Sequence, residues 1–227
     1  MKRFFLASCL VGLMAMSLSA APVLDFGVIA PTAGSISYAG GIAPLVGTGI
    51  DVDNVTLIDS GTGLPIGPSH SIFLGSLNFS TGNLTSSSAT GWVFGPGGTI
   101  TLSGSVDVND TPLNPADDIT GIIFSGTFQG ASVGVFGGSF KIAGASFTDE
   151  KNSDLLKAYG LPGGLYSGNF NISFNAAGSP PNGFRSTAVL SGDVTNQAPA
   201  VPEPMTVLLL GSGLVGLGAV SRKRRNA

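Results

Sequence analysis

The chain has 227 residues, a formal net charge of −3 and 35 glycines, a glycine content that excludes a mainly helical protein. Between residues 21 and 200 lie 12 acidic and 4 basic residues, and this balance of −8 argues against a nucleic-acid partner. The single cysteine, Cys9, falls near the amino end, so the remainder of the chain has no disulfide or thiol chemistry and relies on packing.

Lys2 and Arg3 precede an apolar run from Phe4 to Leu18, followed by the small residues Ser19, Ala20 and Ala21. This is the pattern of a secretory signal peptide over residues 1–20, cut after Ala20, because a cut one residue later would place Pro22 directly after the scissile bond. Leu6, Ala7, Ser8 and Cys9 resemble a lipoprotein box, but the apolar run continues beyond Cys9 and the signal-peptide reading is retained.

Residues 21–195 read as one all-β domain, long enough for its own core and holding 12 of the 14 phenylalanines. Pro31 to Gly49 is rich in Gly, Pro and Ser with little periodicity and reads as a loop or irregular edge segment. Strands are predicted over Gly49 to Asp59, Ser71 to Phe79, Gly91 to Phe94, Thr99 to Val108, Gly121 to Gln129, Ala131 to Phe136, Ser139 to Phe147, Tyr166 to Asn175 and Arg185 to Val194. Within Thr99 to Val108, Ile100, Leu102, Val106 and Val108 alternate with polar residues; Tyr166, Phe170, Ile172 and Phe174 do the same, with Gly168 in the apolar register. Such a succession implies an antiparallel sandwich or barrel, with a jelly-roll-like β-sandwich as the expected form. One short helix is expected between Asp149 and Tyr159, capped by Asn152 or Ser153 and stopped by Gly160 and Pro162, with Leu155, Leu156 and Tyr159 turned to the core.

Motifs for chemistry are sparse. Gly130 to Gly134 match G-x-S-x-G around Ser132, but both flanks read as strand and the only histidine, His70, precedes the serine, so no hydrolase and no enzyme is expected. Asp107, Asn109, Asp110, Asp117 and Asp118 crowd one loop, a candidate calcium site because hard cations take carboxylate oxygens; Asp51 and Asp53 form a smaller pair. The alternative to a calcium site is a solvated turn, since Asp and Asn are ordinary turn residues. Asp107, Asn109 and Thr111 also fit a bacterial glycosylation pattern, D-x-N-x-T. Trp92, between glycines and next to a turn, is the candidate for stacking on a glycan, against the alternative of a core or rim residue.

Residues 196–204 read as an extended Pro-rich linker ending in Val201, Pro202, Glu203 and Pro204. An uncharged apolar run from Met205 to Val220 follows, then Arg222, Lys223, Arg224 and Arg225. Sixteen residues make a helix of about 24 Å against a bilayer core of about 30 Å, so this segment spans only with strain, and the cations hold its end in the cytoplasm. Gly211, Gly213 and Gly216 match G-x-G-x-x-G, but inside an apolar tail they are no phosphate-binding turn.

The order proline-glutamate-proline, apolar segment and terminal arginine cluster resembles the PEP-CTERM sorting signal. The resemblance covers residues 201–227, with 205–227 as membrane segment and basic tail. It implies export through the inner membrane, transient anchoring there, cutting near Pro202–Pro204 by exosortase, a membrane-embedded cysteine protease, and delivery to the cell surface or beyond. Two functions follow as expectations. One is a structural protein of the extracellular polysaccharide or biofilm layer; the other is a carbohydrate-binding module using Trp92.

Overall fold

The computed structural model describes residues 22–112 and 114–199. Eleven strands and one helix are described: β1 (Pro22–Val28), β2 (Ser35–Tyr38), β3 (Pro44–Asp51), β4 (Asn54–Asp59), β5 (Pro65–Ser88), β6 (Gly91–Phe94), β7 (Thr99–Val106), β8 (Ile119–Phe136), β9 (Ser139–Lys151), α1 (Ser153–Ala158), β10 (Tyr166–Gly178) and β11 (Phe184–Gln197). The protein is all-β and antiparallel with one short helix, as the alternating pattern predicts. The expected signal peptide, membrane segment and basic tail lie outside the described residues.

The strands form a single sheet that closes on itself. One circuit runs β1, β4, β5, β7, β8, β9, β10, β11 and back to β1. A second, stacked on it, runs β3, β2, β11, β10, β9, β8, β6 and β5 back to β3. The long strands β5, β8, β9, β10 and β11 pass through both circuits. The short ones share positions end to end: β4 with β3, β1 with β2, and β7 with β6. Closure leaves the sheet no long free edge. A row of partners followed from Pro65 through Ile58, Val23, Gln197, Ser167, Thr148 and Thr127 reaches β7 beside Ile100 and returns to β5 next to Phe79, so the strands are steeply tilted.

Inward positions carry the core. In the first circuit the Phe124 and Phe147 rings stack at 5.9 Å, and Phe128 meets Phe170 edge-on. In the second, Trp92 stacks on Phe140 at 5.8 Å with Tyr38, Phe174 and Phe184 around them. Phe79 extends the first group, packing on Phe128 and Phe170. Twelve of the largest fully buried side chains are mostly aromatic, which fills the wide interior that a tilted eight-position ring creates.

Several boundaries differ from expectation. The stretch read as an irregular loop holds β2 and most of β3, with Ile36, Tyr38 and Leu45 buried. Its periodicity is hidden because Gly47 takes an inward position against the Phe79 ring, which a Cβ there would strike at 2.1 Å. The predicted Gly49–Asp59 strand is two strands broken at Val52–Asp53. The two strands expected on either side of Gly130 are one, β8, and β9 continues through Asp149 to Lys151 where polar residues suggested a helix start. β11 likewise runs to Gln197, past the boundary expected at residue 195.

Candidate functional site

The end of the barrel where the sorting tail departs is built by the start of β1, the ends of β9 and β11, the start of β10, and α1. Gln197 is paired on both sides, with Val23 of β1 and Ser167 of β10, and the Ala198 N–H donates to the Pro22 carbonyl. The tail therefore leaves from a central strand beside the residue on which β1 opens. Asn152 caps α1, its Oδ1 accepting from the Asp154 and Leu155 amides at 2.9 and 3.4 Å. Leu155 and Leu156 are buried, and Tyr159 reaches across to donate to the Val55 carbonyl at 2.9 Å. This is the expected short helix closing one end.

Directly inside this end stands a polar group that sequence reasoning did not single out. Alternation along β9 places Ala145, Phe147, Asp149 and Lys151 inward. Along β11 it places Val194 and Asn196 inward. Asp149 and Lys151 pair with side chains fully out of solvent. Asn196 donates through Nδ2 to Asp149 Oδ1 at 2.7 Å, and its own Oδ1 is buried without a partner. The ammonium lies 4.5 Å from the Phe124 ring centre, 5.1 Å from Tyr166 and 5.8 Å from Phe26.

Two glycines make the space. A Cβ on Gly168 would fall 2.2 Å from the Phe147 ring and 2.5 Å from Asn196 Nδ2; one on Gly126 would fall 2.2 Å from the Thr148 carbonyl oxygen and 2.6 Å from the Asp149 Cβ. Burial pushes both ionisable groups toward neutrality. It lowers Lys151 to about 8 and raises Asp149, with their mutual attraction opposing each shift. Tyr166, donating to the Pro162 carbonyl at 2.7 Å, is pushed up to about 12 by burial and then by Asp149.

The candidate sites named from sequence fare differently. Trp92 is 1% exposed, stacked on Phe140, with its indole N–H donating to the Asn182 carbonyl at 3.1 Å, so it offers no face to a glycan. This corrects the stacking role: the flanking glycines admit close strand packing rather than exposure.

The carboxylates of the acidic loop are engaged within the fold. Asp107 is buried and accepts from the Thr111 amide at 2.8 Å, Asp117 accepts from the Thr111 hydroxyl at 3.1 Å, and Asp118 accepts from Ser105 at 2.7 Å. Asp110 faces His70 at 3.3 Å, and Asn109 is exposed. Each carboxylate is spent on a turn or strand partner, and no group of three His, Cys, Asp or Glu stands together to hold a metal among the described residues. Asp51 and Asp53 likewise accept from the Ala33 and Ile29 amides.

Ser132 sits mid-strand opposite Val93, its hydroxyl donating to the Ala143 carbonyl, while His70 pairs with Val55 elsewhere on the barrel. The strand-turn-helix elbow of hydrolases is not formed at Ser132. On the outer face beside it, Ser86, Ser88, Thr90, Ser132, Val93 and Phe136 line a shallow depression of about 580 Å³.

The sorting residues Val201, Pro202, Glu203, Pro204, Arg222, Lys223, Arg224 and Arg225 lie outside the described residues. No curated protein and no solved structure matches the chain. Residues 200–225 match the family model of the PEP-CTERM protein-sorting motif. The tail, then, carries the PEP-CTERM protein-sorting motif, which supports export, transient membrane anchoring and sorting by exosortase.

Proposed function

We propose that the barrel is a non-enzymatic structural component of the extracellular polysaccharide or biofilm layer, released to the cell surface when the tail is cut. The observation that carries this reading is the exit of the chain from a doubly paired central strand, β11, which presents a closed, rigid body at one end of the sorting tail. A closed sheet without cysteine suits an exposed environment, because its backbone groups are paired within the barrel. The test is fractionation of the producing cells. The mature protein is expected in the polysaccharide-containing surface fraction, and full recovery in the soluble periplasm would overturn the reading.

A second reading, a carbohydrate-binding module, is favoured by the outer depression. Phe136 is 64% exposed there, and its ring lies over Gly134, where a Cβ would meet it at 2.6 Å. An exposed aromatic face bordered by serine and threonine hydroxyls is the chemistry that sugars take. A glycan array on the mature protein, with Phe136→Ala as control, separates the two. Binding lost in the variant establishes a module, and no binding leaves the structural role alone.

A further inference from the structure

The chain carries no cysteine after residue 9, yet it is exported and its last strand bears the tail, so no disulfide can staple that strand to the body. The buried Asp149, Lys151 and Asn196 group joins β9 to β11 across β10. It is also chemically specific: an amine and a carboxamide held on the two oxygens of one carboxyl group. Lys151 Nζ lies on Asp149 Oδ2, and Asn196 Nδ2 lies on Oδ1. Aromatic rings wall the group off from water, which would otherwise solvate the amine.

We infer that Lys151 and Asn196 form an intramolecular amide cross-link, with Asp149 as the group that moves the protons.

The step balances without any co-reactant. Proton transfer from the Lys151 ammonium to the Asp149 carboxylate gives a neutral amine beside a neutral acid. The Nζ lone pair attacks Asn196 Cγ while the Asp149 proton polarises the amide. The surplus proton on Nζ passes through Asp149 to the departing Nδ2, the Cγ–Nδ2 bond breaks, and ammonia leaves. One C–N bond has replaced another, and Asp149, which began as a carboxylate, ends as the neutral acid holding the proton that the Lys151 ammonium brought.

Two independent features fit this chemistry better than a simple buried ion pair. Asn196 Oδ1 is fully buried and has no partner, which a purely structural network would be expected to satisfy. Turning the amide over places that oxygen on the Asp149 acid, the orientation in which the carbonyl is activated. The opposing inward positions on the neighbouring strands, Gly126 and Gly168, have given up their side chains so that these three groups meet. Burial also favours the neutral amine and neutral acid that the step needs, in agreement with the lowered Lys151 and raised Asp149. The product removes both buried charges' need for each other and ties the strand that ends at Gln197 to β9.

The experiment is mass spectrometry of the full chain expressed with export, intact and after trypsin. The expected intact protein is lighter than the sequence between its processed ends by one ammonia. No cut follows Lys151, and a peptide from Ile142 to Lys157 is joined to the one that begins at Ser186. A succinimide at Asn196 also loses ammonia but leaves the two peptides separate and the chain cut after Lys151; that result, or an unmodified mass, overturns the proposal. Asp149→Asn keeps the shape of the acid without its proton traffic. The variant is expected to show the unlinked peptides with an unchanged circular dichroism spectrum, and complete linkage in it would overturn the role given to Asp149. The wild-type measurement stands whether or not the variant folds.

Discussion

Asp25 faces outward from β1, diagonal to Asp193 on β11, with Oδ1 buried and unpartnered. Burial first and the Asp193 charge second raise its pKa from 3.8 to about 6. The folded state then holds the proton more tightly than the unfolded chain. Stability conferred by this group is present below the unfolded value and is lost as pH rises through the window from 3.8 to about 6. Because the carboxyl is only partly buried, the loss is on the order of 1 kcal/mol. Urea midpoints at the two ends of that window are expected to fall for the wild type and to change less for Asp25→Asn; an equal fall in both would remove Asp25 as the cause. A second residue, Gly168, is constrained by space rather than charge. Gly168→Ala drives a methyl into the Phe147 ring and is expected to cost about 1–3 kcal/mol in urea denaturation. A neutral substitution would show that the rings have room to move.

At the scale of elements, α1 is short enough that its cap and its two leucines decide whether it forms. Asn152→Ala removes the Oδ1 acceptor and the Nδ2 donation to the Ile122 carbonyl, and is expected to cost about 1 kcal/mol. Leu155→Ala opens a hole beneath the helix and is expected to cost about 2–5 kcal/mol. Both are read from urea midpoints, and Leu155→Ala with no effect would mean that α1 does not plug the barrel. This helix was legible in the sequence because its caps and apolar pair are local signals, as was β6, whose predicted bounds match. The ends of β9 and β11 were not legible. Asp149, Lys151 and Asn196 keep the inward alternation of their strands, but their polarity reads as a helix start and as a linker, and only tertiary pairing shows what they face. The signal available was the alternation itself, continued past Phe147 through Asp149 and Lys151 and past Val194 to Asn196. β2 was hidden for the opposite reason: its short inward pair, Ile36 and Tyr38, is set among turn residues. Trp92 and the acidic loop were located correctly as residues, but their roles depend on burial and on partners distant in sequence, such as Phe140 and Asn182.

Across the whole molecule, sequence and structure divide the work. Local chemistry at residues 200–225 carries the address, and long-range pairing makes the body that is delivered. Gln197 is the junction, held between Val23 and Ser167, so cutting beyond it leaves the pairing of β11 intact. Replacing Pro202, Glu203 or Pro204 by alanine is expected to block maturation, seen as accumulation of the membrane-bound precursor, while leaving the circular dichroism spectrum of the domain unchanged. Loss of the β signal in those variants would show that the tail takes part in folding. Removal of the tail is the step that turns a membrane-held precursor into the surface form. The measurement is mass spectrometry of the protein recovered from the native cell surface: the expected mature form begins near Ala21, ends near Pro202–Pro204 and yields no peptide through Leu208 to Arg222. Recovery of peptides running through Leu208 to Arg222 in the surface form would contradict it and make the tail a permanent anchor.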